Sequence, residues 1–431
     1  MKDHDDQKQD RMEKILLAVF FILFIGRMAF RYVLQWLNTG HLKTHGREVP
    51  PVFRDELDEA TLHRMVDYTC DQSRLESWEH LAGDATELAV IFLLLPLGIG
   101  WLAGSNIHLI VQALIFFACL TFIGGTAGLP FDIYHTFVLE RKYGFSTITW
   151  KLWLADLFKS MLISAILTTI IVSALMAFVT YLPGSWWFWG WVFFTLFQLT
   201  LLWLYPVLIA PLFNKFEPIR DAALKEKILA LLARAGLEAK GIYQVDEGRR
   251  SKHTNAYFTG IGKTKRIVLY DTLLASHTHE EILSVLAHEI GHWKKKHILK
   301  QLVFMITVSL FLFYFVYFAT GYPPLYGAFG INRTPVYAGL FLVSLYLGAA
   351  GFFISPLGAA VTRHFEREAD RLAYDLTGTS RPMISALKRL AKDNLSNLHP
   401  HPWYVVFYYS HPPLIERIEY LQAMDYKKGD A

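Results

Sequence analysis

His288, Glu289 and His292 stand in the stretch LAHEIGHWKKKH, residues 287–298, and their spacing suits a metal-dependent hydrolase. Residues four apart on a helix share a face, so both imidazoles project together. Two such nitrogens and a carboxylate suit zinc and leave a fourth position for water. Glu289 can reach that water as general base. The bland alternative is a polar surface helix with incidental histidines, and His279 and His297 read that way. Two details favour chemistry. Gly291 keeps the helix slim beside a metal, and a basic run follows at once, so the helix end is solvated while Ile282, Val285 and Leu286 are buried.

A third ligand can come from TRHFEREADRLAYDLTG, residues 362–378, where Glu366 and Asp370 lie four apart with apolar support from Phe365, Ala369, Leu372 and Ala373. Glu366 can complete the tetrahedron. Asp370, one turn on, can accept the free N–H of a ligand histidine and fix its tautomer. Glu368 points to another face and reads as solvated. His364 is a rival ligand that does not share the Glu366/Asp370 face. The alternative for the pair is an ordinary charged helix.

These residues need a scaffold, and composition makes it a membrane one. The 431 residues are 53% hydrophobic and 19% charged, with the apolar excess gathered in long blocks. The net charge of +4 is too small to argue for nucleic acid, which is not an expected partner. Cys70 and Cys119 are too few for a zinc cluster or disulfide framework. They read as one loop thiol and one membrane-packed thiol. Any metal must be held by histidines and carboxylates.

Seven blocks approach the roughly 20 residues that a helix needs to cross a bilayer. They lie near 14–36, 85–104, 106–127, 155–181, 186–212, 299–320 and 336–361. The first has a short apolar core, but no small-residue cleavage site follows, so it reads as a retained span and not a signal peptide. Arg27 and Arg31 are expected to snorkel to an interface. SWWFWGWVFF, near 185–194, suits an interfacial aromatic belt. Lys and Arg are scarce in the connections near 104–106, 182–185 and 321–335 and abundant in the others. The positive-inside rule then puts the amino terminus outside, and the carboxyl terminus and HEIGH segment in the cytosol.

The polar segments carry the chemistry. Residues 213–298 read as an insertion with a helix, ALKEKILALLARAGL, capped at Gly236, and short β runs, GIYQV and RIVLY. Thr278 and Glu281 form a plausible capping box before the HEIGH helix. Residues 363–425 read as helix, loop and a final helix, PPLIERIEYLQAM. The expected fold is mainly α: a polytopic membrane protein with about seven transmembrane helices and a small α+β zincin-like region. The expected division is 1–212, with five spans, and 213–431, with the catalytic region and two more.

HEIGH joined to an E-x-x-x-D helix after the last span resembles the type I CAAX prenyl proteases, integral-membrane zinc metalloendopeptidases with seven transmembrane helices. RRSKHTNAYFTGIG (249–262) looks like that family's substrate-cleft strand, and GLPFDIYHTFVLERKYGF (128–145) like its segment after the third span. LIAPLFNKFEPI (208–219) looks like its fifth-span exit and SHPPLIERI (410–418) like its carboxy-terminal motif. The similarity covers nearly the whole chain. The related heat-shock membrane metalloproteases share HExxH and E-x-x-x-D but are shorter.

The resemblance implies one zinc ion held by His288, His292 and Glu366, with Glu289 as base and proton shuttle and Asp370 orienting a ligand histidine. Asn255 and Ala256 would lie on an edge strand that pairs with an extended peptide; a turn role for Asn255 is the alternative. His411 would reach the developing oxyanion, with a structural histidine before Pro412 and Pro413 as the alternative. Arg417 would help order the site or pair with a carboxylate. The family is associated with a large intramembrane chamber, and a lipid-modified substrate would need an apolar place to rest. The expected activity is cleavage near the carboxy terminus of prenylated CAAX-type proteins or peptides. The alternatives are a broad membrane quality-control protease and, in another class, a silent scaffold or transporter, against which the intact Glu289 speaks. Expected partners are a protein or peptide substrate and membrane lipids. The chain ends DYKKGDA, with no recognisable endoplasmic-reticulum retrieval signal. Its compact loops favour a bacterial inner membrane, with the endoplasmic-reticulum membrane as the alternative.

Overall fold

A computed structural model describes residues 2–260 and 265–429; Ile261 and Gly262 of the 249–262 motif, and Asp430 and Ala431 of the DYKKGDA tail, lie outside the described residues. Backbone polar groups find no water in lipid, so spanning segments satisfy them internally as helices. Among the described residues seven helical passages are long and apolar enough to cross a membrane. The first is α1 (Lys2–His45). The second is α2 (Glu59–Ala89) continuing through a π-turn into α3 (Leu95–Gly104), and the third is α4 (Leu109–Tyr134), running through another into α5 (Glu140–Tyr143). α6 (Trp150–Tyr181) is the fourth. α7 (Trp186–Leu204), with a π-turn and α8 (Ala210–Phe213), is the fifth. Pro96 and Pro211, which lack an N–H, sit just after two of these π-turns. Large apolar side chains such as Leu97, Phe122, Phe158 and Leu357 are left exposed along these helices, as an apolar surrounding permits.

The helices run well beyond the apolar blocks. Cys70, expected in a loop, lies within α2 and is half-buried. Arg27 and Arg31, expected at an interface, turn inward instead. Arg27 lies 3.3 Å from Asp84 and 2.9 Å from Glu87, and Arg31 also pairs with Asp84. Pairing inside the helix bundle is the other way to carry a charge through lipid. A cavity of about 470 Å³ opens beside this cluster between α1, α2, α4 and the last span, lined by both Glu79 and Glu87 and by Leu120, Ile123 and Phe341.

Between the fifth and sixth spans the chain leaves the helical layer. It forms β1 (Phe216–Pro218), α9 (Ala222–Arg234), β2 (Gly241–Val245), β3 (Ala256–Thr259), β4 (Arg266–Tyr270), α10 (Asp271–Ser276) and α11 (His279–Lys294). The sheet order is β1-β2-β4-β3, with β2 and β4 parallel and both outer strands antiparallel. α9 ends as expected, with Gly236 in the left-handed region at φ +68°. A shared core joins sheet to helices: Leu224, Ile228 and Leu231 meet Ile267 and Leu269, then Ile282, Leu286 and Ile290.

The sixth span is α12 (His297–Thr320). After the short α13 (Pro323–Gly327) comes α14 (Val336–Thr377), whose 42 residues include the seventh span and the whole E-x-x-x-D segment without a break. At 1.5 Å per residue it is about 63 Å long, about twice the hydrocarbon thickness. The region expected as loop holds two helices, α15 (Arg381–Asp393) and α16 (Pro402–Tyr408), before α17 (Leu414–Gly429).

Candidate metal centre

α11 begins with the expected capping box: Thr278 Oγ1 accepts from Glu281 N–H, and the Glu281 carboxylate accepts from Thr278 N–H at 2.7 Å. From there α11 crosses α14 with almost no gap. A Cβ on Gly291 would stand 2.8 Å from Ala369 Cα and 2.9 Å from its carbonyl oxygen. The missing side chain lets the two helices bring their polar faces together.

Three side chains converge at this crossing. His288 Nε2 and His292 Nε2 are 3.2 Å apart, His288 Nε2 is 3.2 Å from Glu366 Oε2, and His292 Nε2 is 3.1 Å from Glu366 Oε1. Among the described residues this is the only group of three or more His, Cys, Asp or Glu donors close enough to hold a metal ion. Tetrahedral zinc with bonds near 2.0–2.1 Å separates its donors by roughly 3.3 Å. Glu366 Oε2 is buried and accepts no hydrogen bond. That orphaned oxygen and the two imidazole nitrogens facing the carboxylate fit a cation. His364, the rival, is not in the group.

The surroundings reinforce this. His288 Nδ1 lies 2.7 Å from Asp370 Oδ1. Burial works against the charged imidazole, but Asp370 and Glu366 together outweigh it and push His288 up to about 9. The pocket therefore favours positive charge at Nε2. Arg417 donates to both Asp370 oxygens, at 2.9 and 2.6 Å, and is itself buried. It pairs with a carboxylate, one of its two expected roles, and through Asp370 orders the site. Glu289 is half-buried beside the group, and burial raises its carboxyl above the usual range.

His411 Nε2 approaches Glu366 Oε1 at 3.3 Å, with most of its side chain open. Ser410 Oγ lies 2.9 Å from His411 Nδ1. A hydroxyl donating there leaves the proton on Nε2, where a donor to a substrate oxygen is needed.

Asn255 sits just before β3, an edge strand. Its carbonyl accepts from Tyr270 N–H at 3.1 Å, so Asn255, Tyr257 and Thr259 turn their backbone groups to β4. Ala256 and Phe258 turn theirs to the open edge. The Asn255 side chain accepts from Ala256 N–H at 2.8 Å. Behind this strand entry, His253 Nε2 lies 3.1 Å from Glu140 Oε2 and Nδ1 lies 2.9 Å from Asn394 Oδ1. The 128–145 and 249–262 motifs thus meet through Glu140 and His253.

Two residues behave differently from expectation. His297 is buried, not incidental, with Nδ1 3.1 Å from His292 Nδ1. Glu368 is bonded to His297 Nε2 at 2.9 Å and is not simply solvated. It does point away from the metal, but that side of α14 meets the start of α12. His279 is a surface histidine paired with Asp221.

Residues 218–425 match the model of peptidase family M48, and residues 38–215 match that of the CAAX prenyl protease N-terminal region, five membrane helices. The chain is 33% identical to CAAX prenyl protease 1 of Saccharomyces cerevisiae, over 96% of each chain. It is 38% identical to a CAAX prenyl protease 1 homolog of Oryza sativa, over 74% of this chain and 75% of that one. It is 30% identical to the human CAAX prenyl protease 1 homolog, over 87% and 89%. The crystal structure of S. mikatae Ste24p superposes with a TM-score of 0.87 at 30% identity, covering 94% of this chain and 98% of that one.

Proposed function

The chain belongs to peptidase family M48 and is a multi-pass membrane metalloprotease, and we propose that it is a zinc endopeptidase that cuts near the carboxy terminus of CAAX-type proteins, prenylated ones included. The observation that carries this is the convergence of His288, His292 and Glu366 at 3.1–3.2 Å beside Glu289 and an open strand edge. The names of the relatives, CAAX prenyl proteases, support the substrate class.

His288, His292 and Glu366 would hold the zinc ion, one per chain. When bound, zinc polarises a carbonyl and lowers the pKa of the attacking water to about 7. Glu289 takes a proton from that water and returns it to the leaving amine. His411 donates from Nε2 to the developing oxyanion. Asp370 keeps His288 in the tautomer that frees Nε2, and Arg417 neutralises Asp370. The outward carbonyl of Ala256, whose N–H is held by the Asn255 side chain, and the outward backbone groups of Phe258 align an extended peptide without reading its sequence. A prenyl chain adds anchoring energy of about 0.8 kcal/mol per buried methylene.

The two family-model matches, ending at 215 and starting at 218, support dividing the chain at 212/213 into a five-span part and a catalytic part. The basic-loop pattern supports a cytosolic catalytic side and an external amino terminus. Loop compactness argues for a bacterial inner membrane, and the eukaryotic sources of the relatives argue for an endoplasmic-reticulum one.

The test is zinc content together with cleavage of a prenylated CAAX peptide and its unprenylated twin, before and after chelation. One zinc per chain, chelator-sensitive cleavage and preference for the prenylated peptide are expected. Glu289→Gln should abolish hydrolysis and keep zinc; persistent activity in that variant refutes the mechanism. Equal cleavage of both peptides and of unrelated membrane chains would instead assign a quality-control protease.

A further inference from the structure

The two ligand histidines are backed differently. His288 leans on Asp370. His292 leans on a second histidine, and with His292 Nε2 given to the cation the atoms along that line admit one proton arrangement. His292 offers Nε2 to the converging group, so its proton sits on Nδ1. That N–H donates to His297 Nδ1 at 3.1 Å, and His297 must then carry its own proton on Nε2, which donates to Glu368 Oε2 at 2.9 Å. Every nitrogen has one role. His297 is nearly fully buried and stacked on Phe365, with ring centroids 4.1 Å apart and planes within 7°. The stacking fixes the ring plane, and the two hydrogen bonds fix its rotation.

The backbone is bent to achieve this. Lys296, between α11 and α12, takes φ 57° and ψ 35°, a left-handed conformation that non-glycine residues rarely adopt. That residue turns the chain between the two helices, and His297 packs against His292 in the last turn of α11. Glu368 meets it from α14, two residues past Glu366. The relay therefore ties together the same two helices that carry the three metal donors.

We propose that His297 and Glu368 are positioning residues for the metal centre: they hold His292 in the Nδ1–H tautomer and ring orientation that aims Nε2 at the cation. The proposal rests on reading His288, His292 and Glu366 as the zinc ligands. Partners that orient ligand histidines commonly change metal affinity 10- to 100-fold when removed.

The experiment uses the full chain in detergent, with zinc affinity measured by chelator competition and the ligand field by the visible spectrum of the Co²⁺-loaded protein. His297→Phe keeps the ring stacked on Phe365 and removes both hydrogen bonds. Glu368→Ala removes only the far end, at a side chain that is 31% exposed, and decides the matter if the first variant does not fold. Both should lower zinc affinity, His297→Phe by about 10- to 100-fold and Glu368→Ala by less, and both should alter the Co²⁺ spectrum. The double variant should bind no more weakly than His297→Phe, since both act through one chain of bonds. Affinity and spectrum within about twofold of the parent in both single variants would overturn the proposal. His292→Ala is the control. Should that variant keep parental zinc affinity, the ligand reading itself fails; should it lose zinc while the two others keep it, only the relay fails.

Discussion

Gly291 leaves no room for a side chain against Ala369: a methyl group on the glycine would lie 2.8 Å from the alanine Cα. The obstructing atoms are main-chain atoms and cannot rotate away. Gly291→Ala must therefore push α11 from α14, and overpacking of this kind costs about 1–3 kcal/mol. Because His292 and Glu366 ride on the separating helices, zinc content should fall as well. Thermal unfolding and metal analysis of the variant check this, and parental values in both would contradict it.

Arg417 donates to both carboxylate oxygens of Asp370. Arg417→Leu leaves the buried Asp370 carboxylate with only His288 Nδ1 beside it, and breaking a buried ion pair in this way typically costs about 3–5 kcal/mol. Arg417→Leu combined with Asp370→Asn should recover part of that loss while zinc binding stays weak. Denaturant unfolding of the single and double variants separates the two effects. A double variant no more stable than the single one would rule out charge compensation.

His253 carries a stability signature in pH. Burial pulls its pKa down, but Glu140 and Asn394 outweigh burial and raise it above the ordinary value. A raised folded-state pKa contributes stability in full below the unfolded value, about 6.5, and loses it as pH rises through the folded value. His253→Phe, which can keep the stacking on Phe145, should flatten that part of the curve. Melting temperatures across neutral to mildly alkaline pH give the comparison, and parallel curves would count against the ion pair.

If the peptide adds to the outer edge of β3, each of its N–H groups facing Ala256 or Phe258 contributes a modest bond. Replacing one such amide by an ester should raise KM roughly two- to tenfold, matching a net 0.5–1.5 kcal/mol. Esters elsewhere in the peptide should leave KM unchanged. Steady-state kinetics on a short series of depsipeptides reads this directly, and a flat series would exclude strand addition.

The fold was legible wherever one period or one composition governs a long segment. Hydropathy located all seven spans, and the three-residue interval in HEIGH put two imidazoles on one face. It could not say where helices end, because lipid contact stops at the interface while helical hydrogen bonding need not. Hence Cys70 and the E-x-x-x-D segment fall inside long helices. β1 gave no signal, being three residues at an edge and ending in proline. The resemblance pointed to Asn255, Ala256, His411 and Arg417, but the contact between Arg417 and Asp370 spans 47 residues and has no local pattern. His297 was missed for a single-residue reason: its position depends on Lys296 turning left-handed, and lysine carries no preference for that.

The carboxylate of Glu366 is mounted on a rod that begins on the far side of the bilayer. Pro356, ten residues earlier in that rod, breaks its hydrogen-bond ladder once. A tilt imposed by lipid thickness would therefore reach a ligand whose two partner histidines ride on a separate helix, α11. Hydrolysis by this enzyme should accordingly vary with acyl-chain length even for a soluble peptide that never touches lipid.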